Sequence, residues 1–235
     1  MSADVTVVVR EGSPSRSRTF NAGEGSDDGT GLYIWPSSYV LARWLVTAPE
    51  ITAGKVIYEL GSGCGLGGMT AAVLAHARRI VLTDLTSATL DNLRHNIRIN
   101  DGARAAHWCE PEVLSVDWRH HDTWPLAGSA DLVLGSDLVY DDGVVELLAR
   151  VLAHVLSPGG EFVHVHPAHG RVGTSDLAPA MQAVGLSLVT EAPVPRNTYV
   201  RPESLREEGS DLHSMWHVLN EVDCKVFILQ RFRKA

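Results

Sequence analysis

Cysteine is scarce: the 235-residue chain has three, Cys64, Cys109 and Cys224, far apart in sequence. That spacing offers neither a disulfide framework nor a paired-cysteine metal knuckle, and a reducing cytosolic or nuclear setting is expected. Long apolar runs are also missing. No stretch approaches the ~20 residues of a membrane-spanning helix. The opening "MSADVTVVVREG" lacks the basic start and apolar core of a secretory leader. Positive charge is in deficit, 20 Lys and Arg against 28 Asp and Glu, for a formal net charge of −8. A duplex nucleic-acid binder needs clustered cations to displace condensed counterions, so neither nucleic acid nor membrane is an expected partner. The acidity suits a cationic substrate such as a lysine or arginine side chain, although mild acidity also serves solubility.

With 45% hydrophobic residues and a mean hydropathy near zero, the chain can bury one sizeable core but is short for two ordinary domains. "DVTVVVR" (4–10) alternates as a strand does, and the Gly-, Ser- and charge-rich stretch 11–31 reads as flexible loop. Pro36 ends an extended piece, Ser37 or Ser38 can cap, and 39–45 continue as a half-buried helix. Strands are then expected at 55–60, 79–84, within 104–116, at 130–137, 161–166, 186–192 and 224–232. Helices are expected at 66–77, 86–100 (with Leu90, Leu93, Ile97 and Ile99 as its apolar residues), 144–156 and 176–185, with "SPGG" (157–160) as a turn. Strands alternating with helices imply an α/β fold, a mostly parallel sheet covered on both faces. An insertion is expected around 195–220.

"YELGSGCGLGG" (58–68) sits between the first core strand and its helix, where a cofactor loop belongs. Glycine lets the backbone approach a ligand without a Cβ in the way. Gly63, Gly65 and Gly68 satisfy G-x-G-x-x-G, which keeps a nicotinamide cofactor in consideration. Glu59 argues otherwise. An acid there suits cationic amino and sulfonium groups and repels a pyrophosphate. Asp84 ends the next strand, with Leu85 after it, placed to accept from ribose hydroxyls. In "VDW" (116–118), Asp117 can accept from an adenine amino group while Trp118 covers its face. "HVHPAH" (164–169) contains H-x-H, but no Asp, Glu or Cys stands close in sequence, so no metal site is expected. "HH" (120–121) and "RFRK" (231–234) read as solvated surface.

Together, "IWPSSYVLARWL" (34–45), "ELGSGCGLGG" (59–68), "VLTD" (81–84), "NLRHNIRIN" (92–100), "VDW" and "SDLVYDD" (136–142) resemble methyltransferase family 16, which contains protein-lysine methyltransferases. "WPS" is similar to the calmodulin-lysine methyltransferase branch. The resemblance implies a Rossmann-like seven-stranded class I methyltransferase using S-adenosylmethionine to modify a lysine on a protein substrate. It divides the chain into an N-terminal strand and flexible loop (1–30) and a methyltransferase domain (31–235), expected to be a monomer. It places Trp35 beside the cofactor, Gly61, Ser62 and Gly63 around its amino-acid end, Asp84 on the ribose, Asp117 and Trp118 at the adenine and Ser136 near the sulfonium. "DLVY" matches the family's Asp-x-x-Tyr motif. A lysine with a free pKa near ~10.4 arrives as an ammonium. Asp137 would attract and orient it, and Tyr140 would hydrogen-bond the amine. The strand lacks the Asn/Asp-Pro-Pro-Tyr of enzymes acting on bases or glutamine. Histidine, arginine or small-molecule methylation stays open, as does a non-catalytic binding module.

Overall fold

The computed structural model describes residues 7–12, 29–74, 77–100, 108–141, 143–199 and 222–235. Seven strands form one sheet in the order β3-β2-β1-β4-β5-β7-β6. They are β1 (Val56–Glu59), β2 (Arg79–Asp84), β3 (Glu112–Ser115), β4 (Ala130–Ser136), β5 (Leu156–Pro167), β6 (Leu186–Pro193) and β7 (Phe227–Lys234). The helices are α1 (Pro36–Thr47), α2 (Leu66–Leu74), α3 (Ser87–Asn100), α4 (Val144–Val155), α5 (Thr174–Ala183) and the short α6 (Arg196–Tyr199). β1 to β5 run parallel, whereas β7 lies antiparallel between β5 and β6. The chain fills one side of β1 with β2 and β3, then crosses back to lay down β4 on the other. The carboxyl ends of β1 and β4 therefore flank a topological switch point, where such sheets leave a crevice.

The central strands are buried throughout, and two apolar layers sandwich the sheet. α1, α2 and α3 cover one face, with Leu41, Leu45, Met69 and Leu93; α4 and α5 cover the other, with Leu148, Leu152, Leu177 and Met181. α2 packs closely because its first turn carries two glycines, Gly67 and Gly68. A Cβ on Gly68 would stand 2.2 Å from Leu82 Cδ2.

Several local expectations need correction. Pro36 is the first residue of α1 and Trp35 its N-cap, with no side-chain cap; proline suits that position because its missing N–H would be unpaired there. The "SPGG" turn survives as an outward kink within β5. Leu132 pairs with Glu161 although Ala130 pairs with Leu156, so the intervening residues loop out, with Gly159 at φ 74°. β7 starts at Phe227 rather than 224. Its "RFRK" is not merely solvated, since Arg231 and Arg233 both grip the buried Glu161. Most of the expected loop at 11–31 and of the insertion at 195–220 lies outside the described residues.

The described part of the expected N-terminal strand, residues 7–10, joins none of the seven strands. α3 presents Asn92, Asn96 and Asn100 on one face, all buried. Asn100 accepts from Val8 N–H (2.8 Å) and donates to Val8 O (2.6 Å). Asn96 does the same with Arg10 at 2.9 and 3.1 Å. Asn92 adds a bond to Arg10 O and accepts from its guanidinium. Carboxamides thus imitate a neighbouring strand. Ile99, expected on the apolar side, is 40% exposed, because asparagines occupy the inward positions beside Leu93 and Ile97. Beyond the ladder, Gly12 N–H donates to Leu32 O and Glu11 accepts from Ile34 N–H, which fastens this strap against the approach to α1.

Asn96→Leu should destabilise the protein by about 2 kcal/mol in urea unfolding, since it removes the bonds made to the Cys64 carbonyl and the Arg10 N–H, while Arg10 O keeps its bond from Asn92. Arg10→Ala should cost markedly less, because the backbone bonds remain.

Candidate active site

The loop after β1 is shaped by left-handed glycines. Gly61 and Gly63 have φ of 55° and 53°, a conformation costly for any residue with a Cβ. A Cβ at Gly63 would also press on Gly31 O at 3.3 Å, so glycine lets the loop pack closely against the turn that precedes α1. Ser62, expected to face a ligand, turns its hydroxyl inward. It donates to Glu59 O (3.0 Å) and accepts from Thr83 N–H (3.0 Å), so its main chain rather than its side chain borders the crevice.

Glu59 is likewise not exposed to the crevice. It is 2% exposed, lies against Gly67, and accepts from Gly68 N–H in the first turn of α2 at 3.1 Å. Burial pushes its carboxyl up to about 8, against the pull of the helix N–H. Asp84 closes the loop from β2. One oxygen accepts from Gly63 N–H (2.9 Å) and the other from Leu85 N–H (2.8 Å). Leu85 itself projects outward, 47% exposed.

On the β3 side, Asp117 is engaged by its neighbours. Arg119 donates to both carboxylate oxygens and His120 Nδ1 lies 2.9 Å away. The Arg119 guanidinium chiefly holds this carboxyl well below the usual carboxylate range. His120, expected as plain surface, is thereby part of that cluster. Trp118 is half-buried beside the loop, its Cζ2 3.9 Å from a Cβ at Gly61.

The turn after β4 departs most from expectation. Ser136 ends the strand opposite Val165. Asp137, expected to stand open to a cation, is 8% exposed and already holds one. Arg171, in the segment between β5 and α5, forks onto it with both contacts at 2.6 Å. A buried carboxylate without such a partner would be strongly unfavourable, and this is the physical reason the site is filled. The same guanidinium lies 5.5 Å over the Trp35 ring, whose indole N–H donates to Thr30 O. Asp137 N–H extends the sheet by donating to Val165 O, and Leu138 N–H donates to His164 Nε2 at 3.4 Å. Tyr140 stands at the rim, 55% exposed.

The two histidines of β5 stack, rings 5.2 Å apart, continuing a column that includes Phe162. Burial lowers His164 to about 3 and also lowers His166, so both are neutral imidazoles. His164 donates through Nδ1 to Gln230, which donates on to Glu191. Among the described residues no group of three potential ligands could hold a metal.

Trp35, the Gly61–Gly63 loop, Asp84, Trp118, Ser136 and the Asp137–Tyr140 turn thus gather at the carboxyl ends of the parallel strands. The lysine methyltransferase family model matches residues 15–172, which contain every one of them. The chain belongs to this family. It is 31% identical over 130 residues to a calmodulin-lysine N-methyltransferase of Arabidopsis thaliana, and 28% identical over 130 residues to the human protein-lysine N-methyltransferase EEF2KMT. These matches take in 55% and 52% of this chain but only 42% and 39% of the relatives, so the chain spans about two fifths of their length. Among solved structures, geranyl diphosphate methyltransferase superposes with a TM-score of 0.56 at 12% identity, covering 83% of this chain and 76% of that one. The cyclase SpnF superposes at 0.54 and 13% identity, over 82% and 80%. Likeness at that level establishes the class I methyltransferase fold.

Glu59→Gln retains an acceptor for Gly68 and removes the buried acid. A carboxyl raised from 4.5 to about 8 is protonated more in the folded than in the unfolded protein between those values. The parent therefore loses stability as pH climbs through that window, by up to ~1.4 kcal/mol per pH unit. The variant should lack this loss, so the gap between the two, read by urea unfolding from pH 5 to 8, should widen in the variant's favour.

Proposed function

We propose that this chain is an S-adenosylmethionine-dependent protein-lysine N-methyltransferase, with residues 31–235 as its methyltransferase domain. The observation that carries the reading is that the lysine methyltransferase family match runs through both the glycine loop after β1 and the Asp-x-x-Tyr turn after β4. Two lysine-modifying relatives each align over about half of the chain, and left-handed glycines shape the loop at the switch point of the sheet.

S-adenosylmethionine supplies, when bound, a methyl group on a cationic sulfur that is already electrophilic. The protein's work is alignment and exclusion of water. In this reading the backbone of Gly61, Ser62 and Gly63 borders the amino-acid end of the cofactor, with Glu59 setting the loop from below. Asp84, already holding Gly63 and Leu85 in place, offers its remaining acceptor capacity to the ribose hydroxyls. Trp118 covers the adenine, Asp117 lies at its edge and Trp35 walls the crevice. Ser136 lies nearest the sulfonium. Tyr140, at the rim, hydrogen-bonds the incoming amine and narrows the mouth. The partner is a protein bearing the target lysine, and the enzyme acts as a monomer.

Calorimetry should show binding of S-adenosylhomocysteine and none of NAD; the reverse would end this reading. Incubation with labelled cofactor and a protein extract should yield methyl-lysine by mass spectrometry, whereas label confined to histidine, arginine or small molecules would move the assignment. Asp84→Ala should weaken S-adenosylhomocysteine binding by about tenfold or more, the worth of one charge-assisted bond or two. Tyr140→Phe keeps the wall and loses one hydrogen bond, so transfer should fall roughly 2- to 10-fold with cofactor affinity unchanged. Equal transfer by the phenylalanine variant would remove the phenol from the site.

A further inference from the structure

The Asp137–Arg171 pair differs from an ordinary surface ion pair. The carboxylate side chain is 5% exposed and the guanidinium 23%. Both prongs of the fork are made, and the cation also rests over Trp35. Asp137 sits at φ 58°, the one non-glycine residue with positive φ among the described residues. Such a backbone persists where its surroundings over-determine it. Three segments meet at this contact: the N-cap of α1, the end of β4 and the stretch following β5.

The charge balance bears on the chemistry. A lone carboxylate beside an amine stabilises its ammonium form, and an ammonium has no electron pair with which to attack. A carboxylate already neutralised gives no such hold, and the adjacent guanidinium opposes a second cation. Among the described residues, further titratable groups act on the pair directly, through a neighbour or from the same turn. His166 from β5 is held neutral by burial, its Nδ1 donating to Pro167 O. Glu191 on β6 acts on His166 and accepts from Gln230. Tyr140 follows on the same turn.

We propose that Arg171 cancels the charge of Asp137 so that the target lysine enters the cleft as the free amine, its proton released to bulk water, rather than as an ammonium. This rests on the lysine-methyltransferase reading above. Arg171 is then a positioning residue acting through Asp137. The same arrangement selects against arginine, whose guanidinium does not surrender its proton in water.

The test is the pH profile of methyl-lysine formation, from pH 6.5 to 9.5, with labelled cofactor and a protein extract as acceptor. S-adenosylhomocysteine calorimetry and near-ultraviolet circular dichroism accompany each variant. Arg171→Gln bares the carboxylate and should move the midpoint about one pH unit or more to the alkaline side, with loss near pH 7 and recovery above pH 9. Arg171→Lys should keep the parental midpoint. The double variant Asp137→Asn with Arg171→Gln should return to it, since no charge is left to expose. Asp137→Asn by itself leaves an unbalanced guanidinium and should move the midpoint to the acid side. It also keeps the proposal testable if Arg171→Gln does not fold, because asparagine tolerates the left-handed backbone. A uniform loss at every pH in Arg171→Gln would overturn the proposal, as would an unmoved or alkaline midpoint in Asp137→Asn. A parent that makes no methyl-lysine would overturn the functional reading, and this with it.

Discussion

A carboxylate taken out of water has to be answered by donors, and this sheet ends three of its parallel strands in such groups. Glu59 closes β1, Asp84 closes β2 and Asp137 follows β4. Each is answered differently. Glu59 meets the N-terminus of α2 and is pushed toward its neutral form; Asp84 is shared between two backbone N–H groups; Asp137 takes a full guanidinium. The answers shape the crevice. The first seats a helix, the second sets the curvature of the glycine loop, and the third ties β4 to the segment beyond β5.

The same need explains why the walls are as rigid as the core. Ser62, Thr83 and Glu59 form a closed knot of backbone and hydroxyl bonds beneath the loop. His164 and Gln230 carry a chain of bonds from the Leu138 amide to Glu191. Polar groups buried in this way are specific only when every partner is present. A change at β6 or β7 is therefore linked physically to the turn bearing Asp137.

Much of this was legible in the sequence, and the exceptions share a cause. The alternation of strands and helices gave the α/β sheet because apolar periodicity is local information. The glycine loop, Asp84, Trp118 and the Asp-x-x-Tyr turn were found because each lies at a strand terminus. What stayed hidden depended on partners distant in the chain. Arg171 lies 34 residues from Asp137 with no pattern pointing to it. The signal was chemical: an acid placed at the end of a buried strand demands a cation. Ser62 was placed around the cofactor's amino-acid end by resemblance, and its hydroxyl's bond to Thr83 N–H depends on the fold. The asparagines of α3 recur at spacing four, yet nothing in that spacing tells that Val8 and Arg10 lie across them. "DVTVVVR" has the alternation of a strand, and alternation cannot say whether the neighbour will be a backbone or a row of carboxamides.

That strap has a consequence for the order in which the protein is made. Val8 and Arg10 leave the ribosome 82 to 92 residues ahead of their partners Asn92, Asn96 and Asn100. At ~5–20 residues per second, the segment waits roughly 5–20 s before the surface that receives it exists. During that interval the carboxamides that receive it are not yet made, so its docking comes later in biogenesis than its own synthesis.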